Sequence, residues 1–327
     1  MAKQRNKDKI RLAIACQGGG SHTAFTAGVL KRILKEKNKK YEIVALSGTS
    51  GGAICALLAW YGLLKKDREE AIKLLDSFWT DNSASLFWDK LWNDWIVWTS
   101  RLQDIVSMPE VSPYLYPPWA QEFLRSLLEK HIDFKNIETL LDDSNPMLLV
   151  GAVDVLSGES RSFKNNEINV DVILASAAIP TFLRAVRIDN KVYWDGLFSQ
   201  NPPIRDFVKG PDASVKPDEI WVIQVNPERR ANEPKSVKDI LDRRNELAGN
   251  LSLNQEIYFL NTVNGWVDAG HLPASQYKHV ELRRIEMLYD LDTASKLDRS
   301  ELFIRDMMTY GEKQAESFMK QFQDNNG

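Results

Sequence analysis

The sequence predicts an α/β fold, and three observations predict it. Two successive segments each run from an apolar strand through a glycine-rich turn into a helix. The first is 12–16, then Gln17-Gly18-Gly19-Gly20-Ser21, then a helix over 24–35; the second is 43–48, then Thr49-Ser50-Gly51-Gly52 and an apolar helix. Further short apolar strands lie near 147–153, 161–163, 192–194 and 219–225, with helical patterns between and after them. At 327 residues and 43% hydrophobic content the chain can bury a large core. The chemistry-bearing motifs spread over 12–203, so the chain reads as one domain, 1–327. A tryptophan-rich insertion over 79–119 and a helical region over 235–327 belong to that domain.

In the first unit, Gly18, Gly19 and Gly20 leave a strand and expose unshielded backbone N–H groups at a helix N-terminus, whose partial positive charge favours an anion. A phosphate loop of the Walker type would need a lysine after the last glycine, and a dinucleotide fingerprint would need glycine where Thr23 stands. The loop therefore suits an oxyanion, with an ordinary structural turn as the competing reading. In the second unit Ser50 sits at the apex of a strand–turn–helix, bracketed by Gly48, Gly51 and Gly52. Glycines there let the backbone take a conformation that a side chain would block and leave the hydroxyl projecting above the sheet, an arrangement suited to a nucleophile.

Between Trp79 and Trp119 lie six of the ten tryptophans. Within this stretch Trp88, Leu91, Trp92, Trp95, Trp98 and Leu102 recur at three- and four-residue intervals, placing one apolar face on a helix. Such a face suits either a lipid interface, as a cap admitting an acyl chain, or a core or dimer contact. Pro109, Pro113, Pro117 and Pro118 then interrupt the chain, and a helix resumes over 119–130 with His131 at its C-terminal end. Later in the chain Asp195 follows the aromatic strand Val192-Tyr193-Trp194 and precedes Gly196, at a strand end where catalytic groups of open α/β sheets gather. Taken alone, Asp-Gly is equally a hairpin corner. Helical patterns over 236–263 and 293–323 are charged on one face and apolar on the other, a strand pattern covers 277–286, and the tail 324–327 should fray.

The Gly18-Gly19-Gly20 loop, the Gly48-Thr49-Ser50-Gly51-Gly52 elbow and the distant Asp195-Gly196 pair together resemble the patatin-like phospholipases. Gly151-Ala152-Val153-Asp154, Ala175-Ser176-Ala177-Ala178-Ile179-Pro180 and Asn201-Pro202-Pro203 are similar to family segments as well. The resemblance covers most of the chain. It implies a three-layer α/β/α sandwich with a mostly parallel central sheet, here with a Trp-rich helical cap. It also implies a lipid acyl hydrolase with Ser50 as nucleophile, Asp195 as base and no catalytic histidine, with Gly18, Gly19, Gly20 and the N–H of Gly51 as the oxyanion hole. Two departures stand out: His22 and Thr23 replace the usual basic residue and glycine, and Leu197 stands where the family often has glycine. His22 adds positive charge only when protonated, near an ordinary pKa of ~6.5.

A Ser-Asp-His hydrolase is the rival enzyme reading, with His271 or His279 following Asp195 in permissible order; the elbow, however, comes unusually early for that fold. A third reading keeps the fold and the tryptophan face as a membrane-binding or interaction protein without turnover, motivated by the altered His22-Thr23 loop. The net charge of −3 argues against nucleic-acid binding. Cys16 and Cys55 fall in apolar surroundings and give neither a disulfide framework nor a metal spacing, and no cofactor or metal is expected. The basic start over 1–11 is followed by too short an apolar run for a signal peptide, and no span of about 20 apolar residues appears. The expected setting is cytoplasmic, with peripheral membrane contact, signal-less export and a homo-oligomer left open. Head group, acyl length, the ester position cleaved and hydrolysis versus acyl transfer are not encoded in these motifs.

Overall fold

A computed structural model describes residues 9–36, 40–84, 90, 93, 97, 111–180, 182–289 and 291–323. Strand β1 (Ile10–Cys16) leads through a 3-10 turn at Gly20–Thr23 into α1 (Ala24–Leu34); β2 (Tyr41–Gly48) leads into α2 (Gly51–Leu64), and α3 (Arg68–Asn82) follows. Asp67 starts α3 by accepting the N–H groups of Glu69 and Glu70, which are left without helical partners at the first turn. Then come α4 (Trp119–His131), α5 (Ile137–Leu140), β3 (Met147–Asp154), β4 (Ser160–Lys164), α6 (Val170–Ser176), β5 (Val186–Ile188) and β6 (Lys191–Asp195). The chain closes with β7 (Glu219–Gln224), α7 (Val237–Asp268), β8 (Glu281–Glu286) and α8 (Glu301–Gln323).

The strands form one mostly parallel sheet, with β3, β2, β1, β7 and β8 running side by side in the same direction. β4 and β6 run antiparallel to β3, and β5 pairs with β6. Alternation along β1 explains the layering: Leu12, Ile14 and Cys16 point into a large core with α1 to α6 and α8, while Ala13 and Ala15 point into a smaller one. That second core is completed by Ile204, Phe207, and by Leu253, Ile257 and Leu260 of α7. The result is the predicted three-layer α/β/α arrangement. Parallel strands buried on both faces read as continuous apolar runs rather than alternating ones, which is why 12–16 and 219–225 stood out.

The local differences have identifiable causes. The pattern over 293–323 is not one helix: a 3-10 turn at Thr293–Leu297 is followed by an extended stretch, because Asp298 accepts the Ser300 N–H and Ala84 pairs with Ser300 as a short bridge. The strand expected over 277–286 begins only at Glu281, where pairing with Glu219 of β7 starts. Trp88, Trp92, Trp95 and Trp98, the stripe expected to face either lipid or a core or dimer contact, lie outside the described residues. Trp79 is buried in α3, and Trp119 is exposed at the start of α4.

Candidate active site

Sheet register brings Ser50 and Asp195 to one place. β2 pairs with β3 up to Gly48 opposite Val150, while β6 pairs with β3 from the far end down to Asp195 opposite Ala152. β4 pairs with β3 across both stretches, so it takes one edge of β3, and β2 and β6 share the other. They meet head-on at Gly151. Ser50, two residues past the end of β2, and Asp195, the last residue of β6, stand on the two sides of that junction. The carboxyl-end rule invoked for Asp195 does not describe this geometry, because β6 runs antiparallel; the shared edge of β3 does.

Gly151 is small because the junction requires it: a Cβ there would lie 2.7 Å from Thr49 Oγ1 and 2.9 Å from the Gln200 carbonyl oxygen. Thr49 Oγ1 donates to that same carbonyl at 2.6 Å, joining the elbow to the segment after Asp195. Ser176 completes the joint, accepting the Ser50 N–H at 3.0 Å and donating to the Gly151 oxygen at 2.7 Å. Asp195 N–H donates to the Ala178 oxygen at 3.1 Å, which docks the 175–180 segment against the aspartate. The resemblance singled out the segments that hold Thr49, Gly151 and Ser176, but not the part these three play in joining them. Their roles arise from strand pairing between distant segments, and nothing local announces that.

Ser50 has φ 56° and ψ −130°, the strained left-handed turn that the flanking glycines predict, and it precedes the first turn of α2. The turn packs tightly enough that a Cβ on Gly48 would strike the Gly52 carbonyl and one on Gly52 would strike the Cys16 oxygen. The loop lies directly over it: a Cβ on Gly51 would sit 2.2 Å from Thr23 Oγ1 and 2.9 Å from the Gly20 oxygen.

Asp195 is 1% exposed and Ser50 7%. Burial pushes the Asp195 carboxyl up to about 7; the Leu197 N–H, donating to Oδ1 at 2.8 Å, and the Ser50 hydroxyl pull the other way. No bond of ordinary length and angle reaches Oδ2, so the Ser50 hydroxyl is a near neighbour of the carboxyl rather than its closed partner. Catalytic contacts in unliganded sites are often long in this way. The Leu197 departure is harmless to this contact, since only its backbone N–H is used.

The four glycines of the expected oxyanion hole are not equivalent. The Gly18 N–H is committed to Asn201 Oδ1 at 2.7 Å, so Gly18 positions the loop and donates nothing to an oxyanion. Among the described residues no acceptor takes the N–H of Gly19, Gly20 or Gly51. Gly20 has φ +56° and packs so that a Cβ would lie 2.3 Å from the Lys296 oxygen.

The replacements at 22 and 23 have structural employment. Thr23 Oγ1 donates to the Gly20 oxygen at 2.6 Å. His22 is buried, and burial, with the Lys296 ammonium adding to it, lowers its pKa to about 3. Ser295 Oγ donates to the Asp292 oxygen at 2.5 Å and therefore accepts from His22 Nε2 at 2.7 Å. His22 is a neutral strut between loop and 3-10 turn and supplies no positive charge.

The other histidines stand elsewhere. His279 precedes β8 at the N-terminal end of the parallel strands, opposite the end where Ser50 leaves β2, and its Nδ1 pairs with Asp268 at 2.9 Å. His271 lies in the turn joining α7 to that same end, its N–H on the Trp266 oxygen. His131 ends α4, as its sequence position suggests, and pairs with Asp81 at 2.8 Å. Among the described residues no group of three or more His, Cys, Asp or Glu is placed to hold a metal ion, and no helix is long and apolar enough to cross a membrane.

The family model described as Patatin-like phospholipase matches residues 14–208, a span containing the glycine loop, the elbow and Asp195. Among solved structures the chain is similar to VipD from Legionella pneumophila, at 13% identity and a TM-score of 0.44, over 96% of this chain and 67% of that one. No curated protein sequence matches it.

Proposed function

Because the chain belongs to the patatin-like phospholipase family, a family of lipid acyl hydrolases, we propose that it cleaves carboxylic ester bonds of lipids through an acyl-enzyme on Ser50, with Asp195 as the base. The observation that carries this reading is the meeting of β2 and β6 on one edge of β3, which sets a strained serine beside a buried carboxyl whose Oδ2 has no bonded partner.

The steps balance without a third group. Ser50 Oγ attacks the ester carbonyl carbon as its proton passes to Asp195 Oδ2. The carbonyl oxygen becomes an oxyanion facing the N–H groups of Gly19, Gly20 and Gly51 and the positive end of α2. Collapse breaks the ester C–O bond, and Asp195 returns the proton to the departing alcohol. A water then repeats the sequence in reverse roles, giving the fatty acid and free Ser50. A pKa near 7 suits Asp195 to both accepting and returning a proton at neutral pH. The triad alternative loses support because His271 and His279 lie at the opposite end of the sheet. The non-catalytic alternative loses its motive, because His22 and Thr23 brace the loop rather than disable it.

Labelling by a fluorophosphonate with peptide mapping tests the reading. Adduct on Ser50 in the wild type and in the His271→Ala/His279→Ala variant, with loss in Asp195→Asn, is the expected result. No Ser50 adduct in the folded wild type, or undiminished labelling in Asp195→Asn, would sink it.

A further inference from the structure

The end of the sheet opposite Ser50 carries a cavity of about 290 Å³ between the 205–216 segment, the second half of α7 and residues 277–280 before β8. β7 and β8 begin there, at Glu219 and Glu281. A strand of six residues spans roughly 20 Å, so this cavity and the serine site lie at opposite ends of the parallel strands. Val208, Leu260, Val263 and Val280 give it an apolar wall, and Phe259 stands at its mouth, 46% exposed.

Four cations line it, and three are already neutralised: Arg205 by Glu256, Lys209 by Asp206 and Lys278 by Asp218, each at 2.5 Å. Lys216 is different. It is 2% exposed, its Nζ donates to the Gly210 oxygen at 2.6 Å and lies 5.5 Å from the centre of the Tyr277 ring, and among the described residues no carboxylate reaches it. An ammonium carries three donors, and one carbonyl uses one of them. A buried charge without a counter-ion is costly, so chains seldom keep one beside an apolar wall without a use for it. Burial lowers its pKa, in keeping with that cost, while Asp212 acts only as a more remote charge in the other direction.

We propose that this cavity binds a long-chain carboxylate of the fatty-acid class, with the carboxylate on Lys216 Nζ and the chain along Val208, Leu260 and Val263. The charge count selects the head group. One uncompensated positive charge matches a monoanion, whereas a phosphomonoester would leave the second negative charge unmatched. The apolar wall selects an aliphatic tail over a small acid. The site needs no turnover at Ser50, so it stands or falls separately from the proposed hydrolysis.

The test is photo-crosslinking of the full chain, carrying Ser50→Ala, with a diazirine fatty acid, followed by peptide mapping and competition by decanoate or by lysophosphatidate. The expected adducts fall on peptides containing Phe259–Val263 or Tyr277 and are displaced by decanoate more readily than by lysophosphatidate. Lys216→Met should weaken this binding about tenfold or more, as loss of one charge-assisted hydrogen bond predicts, and Lys216→Arg should retain much of it. Phe259→Glu, a change at the exposed mouth, should weaken it as well and covers the case in which Lys216→Met fails to fold. Adducts confined to peptides around Ser50, no adduct at all, binding indifferent to both substitutions, or preferential displacement by lysophosphatidate would overturn the proposal. Fluorophosphonate labelling of Ser50 in Lys216→Met alone should match wild type, which separates failure here from failure of the serine mechanism.

Discussion

Asp195 couples the proposed activity to the stability of the site, because the burial that would fit it to act as a base also makes its ionised form costly. Its carboxyl titrates at about 7 in the folded protein against 3.8 ordinarily. Between those values the folded chain keeps a proton that the unfolded chain has released. The stability this group contributes is therefore complete below about pH 4 and declines as pH rises through about 7, by a few kcal/mol in all. Replacing Asp195 with Asn removes the titration. The variant should melt close to wild type near pH 4, and its Tm should exceed wild type by a margin that grows up to about pH 7 and then levels; an unchanging margin would mean the carboxyl is not perturbed. Activity runs in the opposite sense: if Asp195 is the base, kcat/KM for a soluble ester should rise with pH around a midpoint near 7. Gly151 makes a purely steric prediction. A methyl there meets Thr49 Oγ1 and the Gln200 oxygen within 3 Å, so Gly151→Ala should cost about 1–3 kcal/mol in urea unfolding and slow Ser50 labelling even when folded. Ser50 and Asp195 were legible in sequence because glycines mark the elbow and an Asp-Gly pair closes an aromatic strand. Gly151 and Ser176 were not, since their contacts exist only once β2, β3 and β6 pair. Gly18 was misread for a related reason: a glycine in a loop looks like a free donor until its acceptor, Asn201, arrives from 183 residues away.

At the scale of elements, α7 is the instructive case. Its amphipathic pattern was legible, but the pattern implies that the apolar face turns inward, and α7 divides otherwise. Leu253, Ile257 and Leu260 do pack on the sheet, yet Asp242, Glu246, Asn250, Glu256 and Asn264 are buried with them, while Leu247, Leu251 and Tyr258 are exposed. Polar residues are tolerated inside because each finds partners there: Asn250 in the loops at the site end, Asp242 in the Thr293 N–H, Glu246 in Arg230 and Arg243, Glu256 in Arg205, and Asn264 in the Val280 backbone. Gln17, at the exit of β1, is the clearest of these partners: Oε1 accepts the N–H groups of Val225 and Asn226, and Nε2 donates to the Gly249 oxygen and Asn250 Oδ1. One side chain thus ties the start of the glycine loop to the end of β7 and to α7. Gln17→Ala leaves two buried N–H groups without acceptors, at about 1–3 kcal/mol each if no water enters. A fall in the urea midpoint with the slope unchanged is the expected signature, whereas a stability within error of wild type would show that water replaces the amide. The 293–323 helix was over-extended for the same kind of reason: helical periodicity continues through Asp298, but Asp298 caps the Ser300 N–H and a bridge to Ala84 fixes the backbone as extended.

For the whole molecule, the site draws on segments far apart in the chain and on both layers flanking the sheet. The loop comes from β1, the serine from β2, the joint from β3 and α6, the carboxyl from β6, and the brace on the loop from Ser295 near the C-terminal helix. Among the described residues α7 is the one α-helix contributing to the smaller core, so the second face of the sheet depends on it, while six other helices and α8 crowd the first. Fold class was legible early because βα units declare themselves locally; the convergence of these segments was not, because it depends on pairing across the whole sheet. That convergence carries a prediction about cooperativity. If the serine site is an integral product of the sheet, its competence should vanish only when the sheet does. Fluorophosphonate labelling of Ser50 and far-UV circular dichroism, followed across a urea series at equilibrium, should then fall with one midpoint. Labelling lost at markedly lower urea would instead identify the glycine loop and its Ser295 brace as a unit that opens locally, with its own smaller free energy. The two outcomes are separable by Lys216, which lies at the far end of the sheet: its substitution should move both curves together in the first case and the dichroism curve alone in the second.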